Sequence, residues 1–318
     1  MRKRVFIDGQ VGTTGLQIHE RLKERSDIEI VEIDHELRKS KTEKAAILNS
    51  VDLAILCLPD EPAREAVALL DSHAHTKIID ASTAHRTAPG WTYGFPELDS
   101  SFRNALRESR FISNPGCHAS GFIALIYPLI SDGILGIEQC LSLTSLTGYS
   151  GGGKGLIAEY EEQRSESHAV PPRPYALNLS HKHLPEMQGH TGLIHAPHFF
   201  PVVGDFYRGM LVSVPLFLRD CHRSVSVKNI REIYQEYYDQ EPFMKVYEEN
   251  SDSVLEAGKF LSPTACNETN TMELFVYGSE EQALLMARFD NLGKGASGAA
   301  VQNMNIALGL DEQVGLIS

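Results

Sequence analysis

The sequence is poor in what a disulfide-stapled or membrane-spanning protein needs. Its 318 residues hold five cysteines, at 57, 117, 140, 221 and 266. They are odd in number, far apart and free of any Cys-x-x-Cys pair, which argues against a disulfide framework or a zinc ribbon. A buried, reduced thiol is the expectation for most of them. No apolar run reaches the roughly 18 residues of a membrane span. The nearest candidate, residues 122–130, is short and broken by Pro128. The basic start, Arg2-Lys3-Arg4, is followed by Val5-Phe6-Ile7-Asp8-Gly9, too little apolar chain for a signal peptide, so a cytoplasmic location is expected. Positive charge is scarce as well. Lys plus Arg number 29 against 42 Asp plus Glu, a formal charge of −13, which disfavours nucleic acid and anionic membrane as partners. No internal repeat or low-complexity linker is present. What remains is 42 % hydrophobic and 22 % charged, an ordinary globular composition in a chain long enough for two domains.

The first hundred residues alternate in period. Residues 4–8, 28–33, 51–58 and 77–80 read as short strands. Residues 16–25, with Leu16, Ile18 and Leu22 as apolar positions, read as a helix, and Pro62 opens another that runs to about residue 70. Strands that alternate with helices predict a parallel doubly wound sheet of Rossmann type. Gly9, Gly12 and Gly15 sit between the first strand and the first helix. Glycines there let the backbone approach a pyrophosphate, whose charge the helix N-terminus favours. Thr13 and Thr14 complete that turn. Asp34 follows about 20 residues later, where an acid suits the ribose 2′-hydroxyl of NAD. Arg38, Lys39 and Lys41 follow closely, and cations there suit the 2′-phosphate of NADP; NADP(H) is the expected cofactor.

From about residue 114 the alternation stops. Residues 141–146, 192–199, 209–218, 271–277 and 282–289 read as strands, and 156–163, 227–238 and 297–308 as helices. The pattern predicts a second, α+β domain with a mixed sheet.

The chemistry-bearing residues lie in this half. Asn114-Pro115-Gly116-Cys117-His118 joins the strand at 110–113 to an apolar helical stretch at 119–130. Cys117 thus falls at a helix N-terminus, where the dipole and free N–H groups favour thiolate over thiol. A thiolate attacks acyl carbons. Cys57, Cys140 and Cys221 have no such context, and Cys266 is a weak loop competitor. A thiolate enzyme also needs a proton shuttle, and His181-Lys182-His183-Leu184-Pro185-Glu186 is the densest candidate, with Glu186 placed to orient an imidazole. Histidines two apart do not share a helical face, so one of them is expected to address the thiol. No ligand spacing points to a metal. Residues 148–155, with Ser150, Gly151 and Lys154, and Arg208 after Tyr207 have the composition of anion handling.

At this point the chain resembles a known family, the shorter type of N-acetyl-γ-glutamyl-phosphate reductase of arginine biosynthesis, within the semialdehyde dehydrogenases. The matching residues are Phe6-Ile7-Asp8-Gly9 through Gly12-Thr13-Thr14-Gly15-Leu16, Asp80-Ala81-Ser82 with His85-Arg86, Tyr93-Gly94-Phe95-Pro96-Glu97-Leu98 and Asn114-Pro115-Gly116-Cys117. Gly148-Tyr149-Ser150-Gly151, the His181 to Glu186 run, Pro197-His198 with Arg208-Gly209, and Asp290-Asn291-Leu292-Gly293-Lys294-Gly295-Ala296-Ser297-Gly298 extend the match along nearly the whole chain. The resemblance implies Cys117 as nucleophile and His181 as general acid/base. It implies Gly9, Gly12, Thr13, Thr14, Gly15, Arg38 and Ser82 on the cofactor, with Asn291, Gly293 and Gly295 near the nicotinamide. Ser150, Gly151, Glu186 and Arg208 would meet the acyl-phosphate substrate. It further implies domains at 1–116, rejoined by a C-terminal helix at 297–318, and at 117–296, in a homo-oligomer (dimer or tetramer). His118 stands where many members carry an aromatic residue, and supplies a second imidazole beside the thiol. Two other readings stay open here: a reductase of another acyl phosphate, such as an aspartate-semialdehyde dehydrogenase, and a non-catalytic NADP-binding regulator, which would be expected to lack Cys117 or the histidine pair.

Overall fold

A computed structural model describes residues 2–34, 36–38, 40–165 and 170–318. The chain divides into two compact units, residues 1–116 with 296–317, and residues 117–295 with 318.

In the first unit the order is β1 (Lys3–Asp8), α1 (Thr13–Leu22), β2 (Ile28–Val31), α2 (Lys41–Leu48), β3 (Leu53–Leu56), α3 (Asp60–Val67), β4 (Lys77–Asp80), β5 (Thr92–Tyr93), α4 (Ser100–Glu108) and β6 (Phe111–Ser113). The strands form one parallel sheet in the order β2-β1-β3-β4-β6-β5. Alternate residues of each strand enter separate cores. Val5, Ile7, Ile55 and Ile79 pack with Ile18 and Leu22 of α1, while Phe6, Ala54, Leu56 and Ile78 pack with Leu48 and Ala66. Burial on both faces explains why β3 is an unbroken apolar run. The first core is completed by Ala300, Val301 and Met304 of the C-terminal helix Gly298–Ala307. That helix also brings buried amides: Gln302 donates to Glu97 at 2.7 Å, and Asn303 donates to the Gly94 carbonyl at 2.9 Å and to Asn114 at 3.1 Å.

Three details differ from the sequence expectation. Helix α1 starts at Thr13 rather than residue 16 because Gly12 is its N-cap, and Leu16 faces outward, 53 % exposed. Helices α2 and α4 and the short β5 were not expected. Only Leu48 of α2 is buried, so it has no apolar stripe to read. Helix α4 is strongly polar, although Asp99 caps it by accepting from the Ser101 N–H at 2.7 Å. Lys39 lies outside the described residues.

The second unit holds α5 (Cys117–Ser131), β7 (Ser142–Gly148), α6 (Gly153–Ser165), β8 (Arg173–Pro174), α7 (Leu184–Thr191), β9 (His198–Gly204), β10 (Met210–Phe217), α8 (Val227–Tyr238), β11 (Met244–Val246), β12 (Met272–Gly278) and β13 (Gln282–Phe289). Its mixed sheet runs β11-β12-β13-β10-β7-β9-β8, parallel at β7–β9 and β11–β12 and antiparallel elsewhere. Helix α5 is buried along most of its length and contains Pro128. A proline has no N–H for the carbonyl four residues earlier. Here Tyr238 of α8 donates its hydroxyl to that Ala124 carbonyl at 2.8 Å, and Tyr234 serves Leu125 at 2.6 Å. The strand expected at 192–199 is absent over most of that range. Gly192, at φ +78°, ends α7 in the left-handed conformation that favours glycine, and the strand begins at His198.

The five cysteines are free. Against the expectation of buried thiols, Cys266 alone is buried; Cys57, Cys117 and Cys221 are half-buried and Cys140 is exposed.

Candidate active site

The glycine turn of the first unit is built by close approach. At Gly9, φ is +87°, and a Cβ there would lie 2.3 Å from the Cys57 carbonyl oxygen; one on Gly15 would lie 2.4 Å from the Gly9 carbonyl oxygen. The Gly12 N–H closes the turn on the Gly9 carbonyl at 2.9 Å. As N-cap, Gly12 offers no side-chain acceptor, so the leading N–H groups of α1, at Thr13 and Thr14, keep their capacity for an anion. The residues present therefore fit a dinucleotide pyrophosphate. Further along, Asp34 accepts from the Glu36 N–H at 3.1 Å in a local turn, Lys41 pairs with Glu65 at 3.2 Å, and Arg38 is half-buried.

Ser82 is already engaged. Its hydroxyl donates to Asp80 at 2.7 Å and its N–H to the same carboxylate at 2.9 Å. The other partner of Asp80 is the His85 ring nitrogen at 2.6 Å, and that ring stacks on Trp91. Arg86 donates to the Asn114 and Ala81 carbonyls. The Asp80 to Arg86 motif thus folds the loop after β4 about one buried carboxylate. Asp8, at the end of β1, pairs with Lys44 at 2.7 Å, a contact that sequence reading missed because α2 itself was not expected.

In the second unit Cys117 is the first residue of α5. The Cys117 sulfur and one ring nitrogen each of His118 and His183 lie within 4.8 Å of one another. Pro185 sits in the first turn of α7, where its missing N–H costs nothing, so the helix begins there and the His181 to His183 segment is a turn before it. In that turn His181 Nδ1 accepts from the His183 backbone N–H at 3.2 Å; the neutral ring therefore carries its hydrogen on Nε2. The rings of His181 and His183 meet edge-on with centroids 4.8 Å apart, and both contact the His118 ring. Of the pair, His183 is the one with a ring nitrogen within 4.8 Å of the thiol; His181, expected as the general acid/base, touches the His118 and His183 rings. Glu186 is buried in the first turn of α7, where a carboxylate meets the positive end of the helix dipole.

His118 is beside the thiol, yet its nitrogens are spent. Nδ1 lies 2.7 Å from the Ser145 hydroxyl, and Nε2 lies 2.9 Å from the Tyr175 hydroxyl. Burial, followed by the positive charges of His181 and Lys182, pushes its pKa down to about 3. This imidazole stays neutral at working pH and is not a proton shuttle. Tyr175 and Ser145 escaped sequence reading because neither belongs to a motif.

The remaining candidates meet around Asn291. Its side chain accepts from the Gly209 N–H at 2.8 Å and donates to Ser150 at 3.0 Å, with Gly151 adjacent. Arg208 lies 3.6 Å from both the buried Asp290 and the exposed Glu268. A Cβ on Gly293 would lie 2.2 Å from the Thr269 carbonyl oxygen, and one on Gly295 would lie 2.9 Å from the Cys117 Cβ. Gly295 is thus the residue that lets the chain pass against the thiol-bearing side chain.

Two other thiols show what Cys117 is not. Burial pushes Cys57 up to about 12, with Asp8 and Asp80 adding. Burial and a hydrogen bond to Glu273 push Cys266 up too. Both are inert as nucleophiles.

Residues 11–106 match the semialdehyde dehydrogenase NAD-binding domain, and residues 117–291 match the semialdehyde dehydrogenase dimerisation domain. Among curated proteins, N-acetyl-gamma-glutamyl-phosphate reductase 2 of Nostoc sp. is 50 % identical over 99 % of this chain and 99 % of its own. The reductase of that name from Brucella ovis is 45 % identical over 97 % of this chain and 100 % of its own. Among solved structures, aspartate semialdehyde dehydrogenase II of Vibrio cholerae superposes with a TM-score of 0.73 at 16 % identity, covering 97 % of this chain and 98 % of that one. Aspartate semialdehyde dehydrogenase of Francisella tularensis gives 0.72 at 14 %, over 96 % and 99 %. At those identities the two structures show the fold; the near-full-length identity to the reductases goes further, and the chain belongs to the N-acetyl-gamma-glutamyl-phosphate reductase family of semialdehyde dehydrogenases.

Proposed function

We propose that this chain reduces N-acetyl-γ-glutamyl phosphate to N-acetylglutamate 5-semialdehyde with NADPH, through a thioester on Cys117. The observation that carries the reading is a single thiol at a helix start with a ring nitrogen of His183 within 4.8 Å. The Cys117 thiolate attacks the γ-acyl carbon, the carbon–sulfur bond forms, and inorganic phosphate leaves with the carbon–oxygen bond electrons. Backbone N–H groups at the start of α5 stabilise the oxyanion. NADPH supplies the hydride when bound. His183 takes the thiol proton, and His181 presents its Nε2–H to the acyl oxygen and moves the proton as the adduct breaks down to the aldehyde. Glu186 supports the two imidazoles from the first turn of α7.

Gly9, Gly12, Thr13, Thr14 and Gly15 hold the pyrophosphate, with Arg38 and Ser82 beside the ribose side of the cofactor and Asn291, Gly293 and Gly295 toward the nicotinamide. Arg208, with Ser150 and Gly151, receives the anionic groups of the substrate; the protein's charge of −13 makes such local donors necessary. The functional division is a cofactor domain at 1–116 with the 297–318 helix, and a catalytic and dimerisation domain at 117–296. The partner in the oligomer is a second copy docked on one face of the β7–β13 sheet. Phe200, Phe217 and Leu284 share that face by register and are 52, 47 and 36 % exposed, an apolar patch that a homodimer would cover.

The test is a comparison of kcat/KM for N-acetylglutamate 5-semialdehyde, aspartate semialdehyde and α-aminoadipate semialdehyde, each with phosphate and NADP. A clear preference for the first is expected. Preference for either of the others overturns the substrate, and no turnover with any of them favours a non-catalytic NADP-binding protein.

A further inference from the structure

Cys117 and His118 open α5, and His183 stands just before α7. The fold brings one ligand atom of each, a sulfur and two ring nitrogens, within 4.8 Å of one another. Around a tetrahedral zinc ion, with Zn–S near 2.3 Å and Zn–N near 2.0–2.1 Å, such atoms stand about 3.3–3.6 Å apart. A shift of about 0.8 Å or less at each atom therefore closes the three on one ion, a movement that side-chain torsions absorb inside their rotamer wells. A sulfur and two imidazoles without a carboxylate select a borderline or soft ion such as zinc over magnesium or calcium.

The surroundings suit a ligand set. Both rings are buried, His118 at 4 % and His183 at 5 % exposure. His118 is neutral at working pH, since burial holds its pKa at about 3, so no imidazolium proton competes with a metal there. Its two nitrogens bond the Ser145 and Tyr175 hydroxyls. A metal replaces one hydroxyl, and the other keeps the ring oriented, as outer partners of a metal-bound histidine do. Three protein ligands leave a fourth position for water, and the half-buried Cys117 keeps solvent access. Ligand spacing gave no sign of this in the sequence because the donors come from two distant segments.

We propose that Cys117, His118 and His183 form a binding site for zinc or a similarly soft divalent cation, which switches the protein off reversibly by taking its nucleophile as a ligand. On binding, a protonated thiol exchanges its S–H bond for a sulfur–metal bond and the proton passes to solvent; no electron moves. The loss of turnover rests on Cys117 as nucleophile, whereas the binding does not.

The test uses the full chain freed of metal, in a Cys140→Ser, Cys221→Ser background that removes the other accessible thiols. Cobalt(II) is titrated in as the spectroscopic probe and then displaced with zinc. The expected result is one cobalt per chain with a thiolate-to-cobalt charge-transfer band, lost on adding one equivalent of zinc and absent in Cys117→Ser. His118→Phe and His183→Gln should each weaken zinc binding at least about tenfold. His118→Gln serves if the Phe variant does not fold. Zinc should also abolish turnover until a chelator is added, and His118→Phe should raise the half-inhibiting zinc concentration at least about tenfold. Cobalt binding without the band, or zinc affinity unchanged in both histidine variants, overturns the site. If the band appears as expected but turnover survives Cys117→Ser, the metal site stands and the nucleophile reading fails.

Discussion

The glycine turn of the first unit and the thiol cluster of the second are built in opposite ways. The turn is local. Gly9, Gly12 and Gly15 lie within seven residues, and their spacing is the cause of the geometry, since a side chain at 9 or 15 would collide with backbone. The cluster is assembled. Cys117, Ser145, Tyr175, the His181–His183 turn and Gly295 come from five places in the chain, and only the fold of the second unit makes them neighbours. A local device states its purpose in a motif; an assembled one states at most its nucleophile.

That contrast can be broken experimentally, beginning with the largest effect. Cys117→Ser should lower turnover by at least about a thousandfold, while NADPH binding, measured by fluorescence titration, stays at the wild-type level. Retained turnover would remove the cluster from the chemistry. Next comes a structural control in the same unit, the buried carboxylate Glu273, which accepts from Arg288 at 2.7 Å, Tyr247 at 2.6 Å and Cys266 at 2.9 Å. Arg288→Met leaves that charge with only the more exposed Lys245 ammonium 3.9 Å away, and urea unfolding should show a loss of about 3 kcal/mol, with kcat unchanged in the folded fraction. Gly15→Val tests the turn. It should weaken NADPH binding by at least about tenfold, and the alkylation rate of Cys117 should not move.

The last effect concerns acid. The folded His118 holds its pKa at about 3, against 6.5 for the free ring. Between those values the unfolded chain binds a proton that the native one refuses, so this group's contribution is present above about pH 6.5 and is lost as pH falls toward 3. The slope approaches about 1.4 kcal/mol per pH unit. His118→Phe should flatten the stability curve in that window, as measured by urea unfolding at a series of pH values.

The alternation of β1 to β4 with helices was legible because both faces of that sheet are buried, which writes apolar runs into the sequence. Helix α8 was legible to the residue, and in the structure the Ser226 side chain caps it by accepting from the Asn229 N–H. Helices α2 and α7 were not, because one buries little and the other has its start set by Pro185 rather than by periodicity. The strand expected at 192–199 failed on a single glycine whose left-handed conformation ends a helix. In the site, Cys117 was legible from its turn-to-helix context. The histidine pair was visible as composition, but its geometry was misjudged as helical. Tyr175 and Ser145 left no signal, since one short strand edge and one alternating strand position look alike wherever they point.

The central claim is the covalent step, and trapping tests it most directly. The full chain is mixed with N-acetyl-γ-glutamyl phosphate in the absence of NADPH, quenched in acid and mapped by peptide mass spectrometry. The expected result is one N-acetylglutamyl adduct on the peptide containing Cys117, formed with release of one equivalent of phosphate and absent in Cys117→Ser. Phosphate release with no adduct, or an adduct on Cys266 or Cys140 instead, would contradict it.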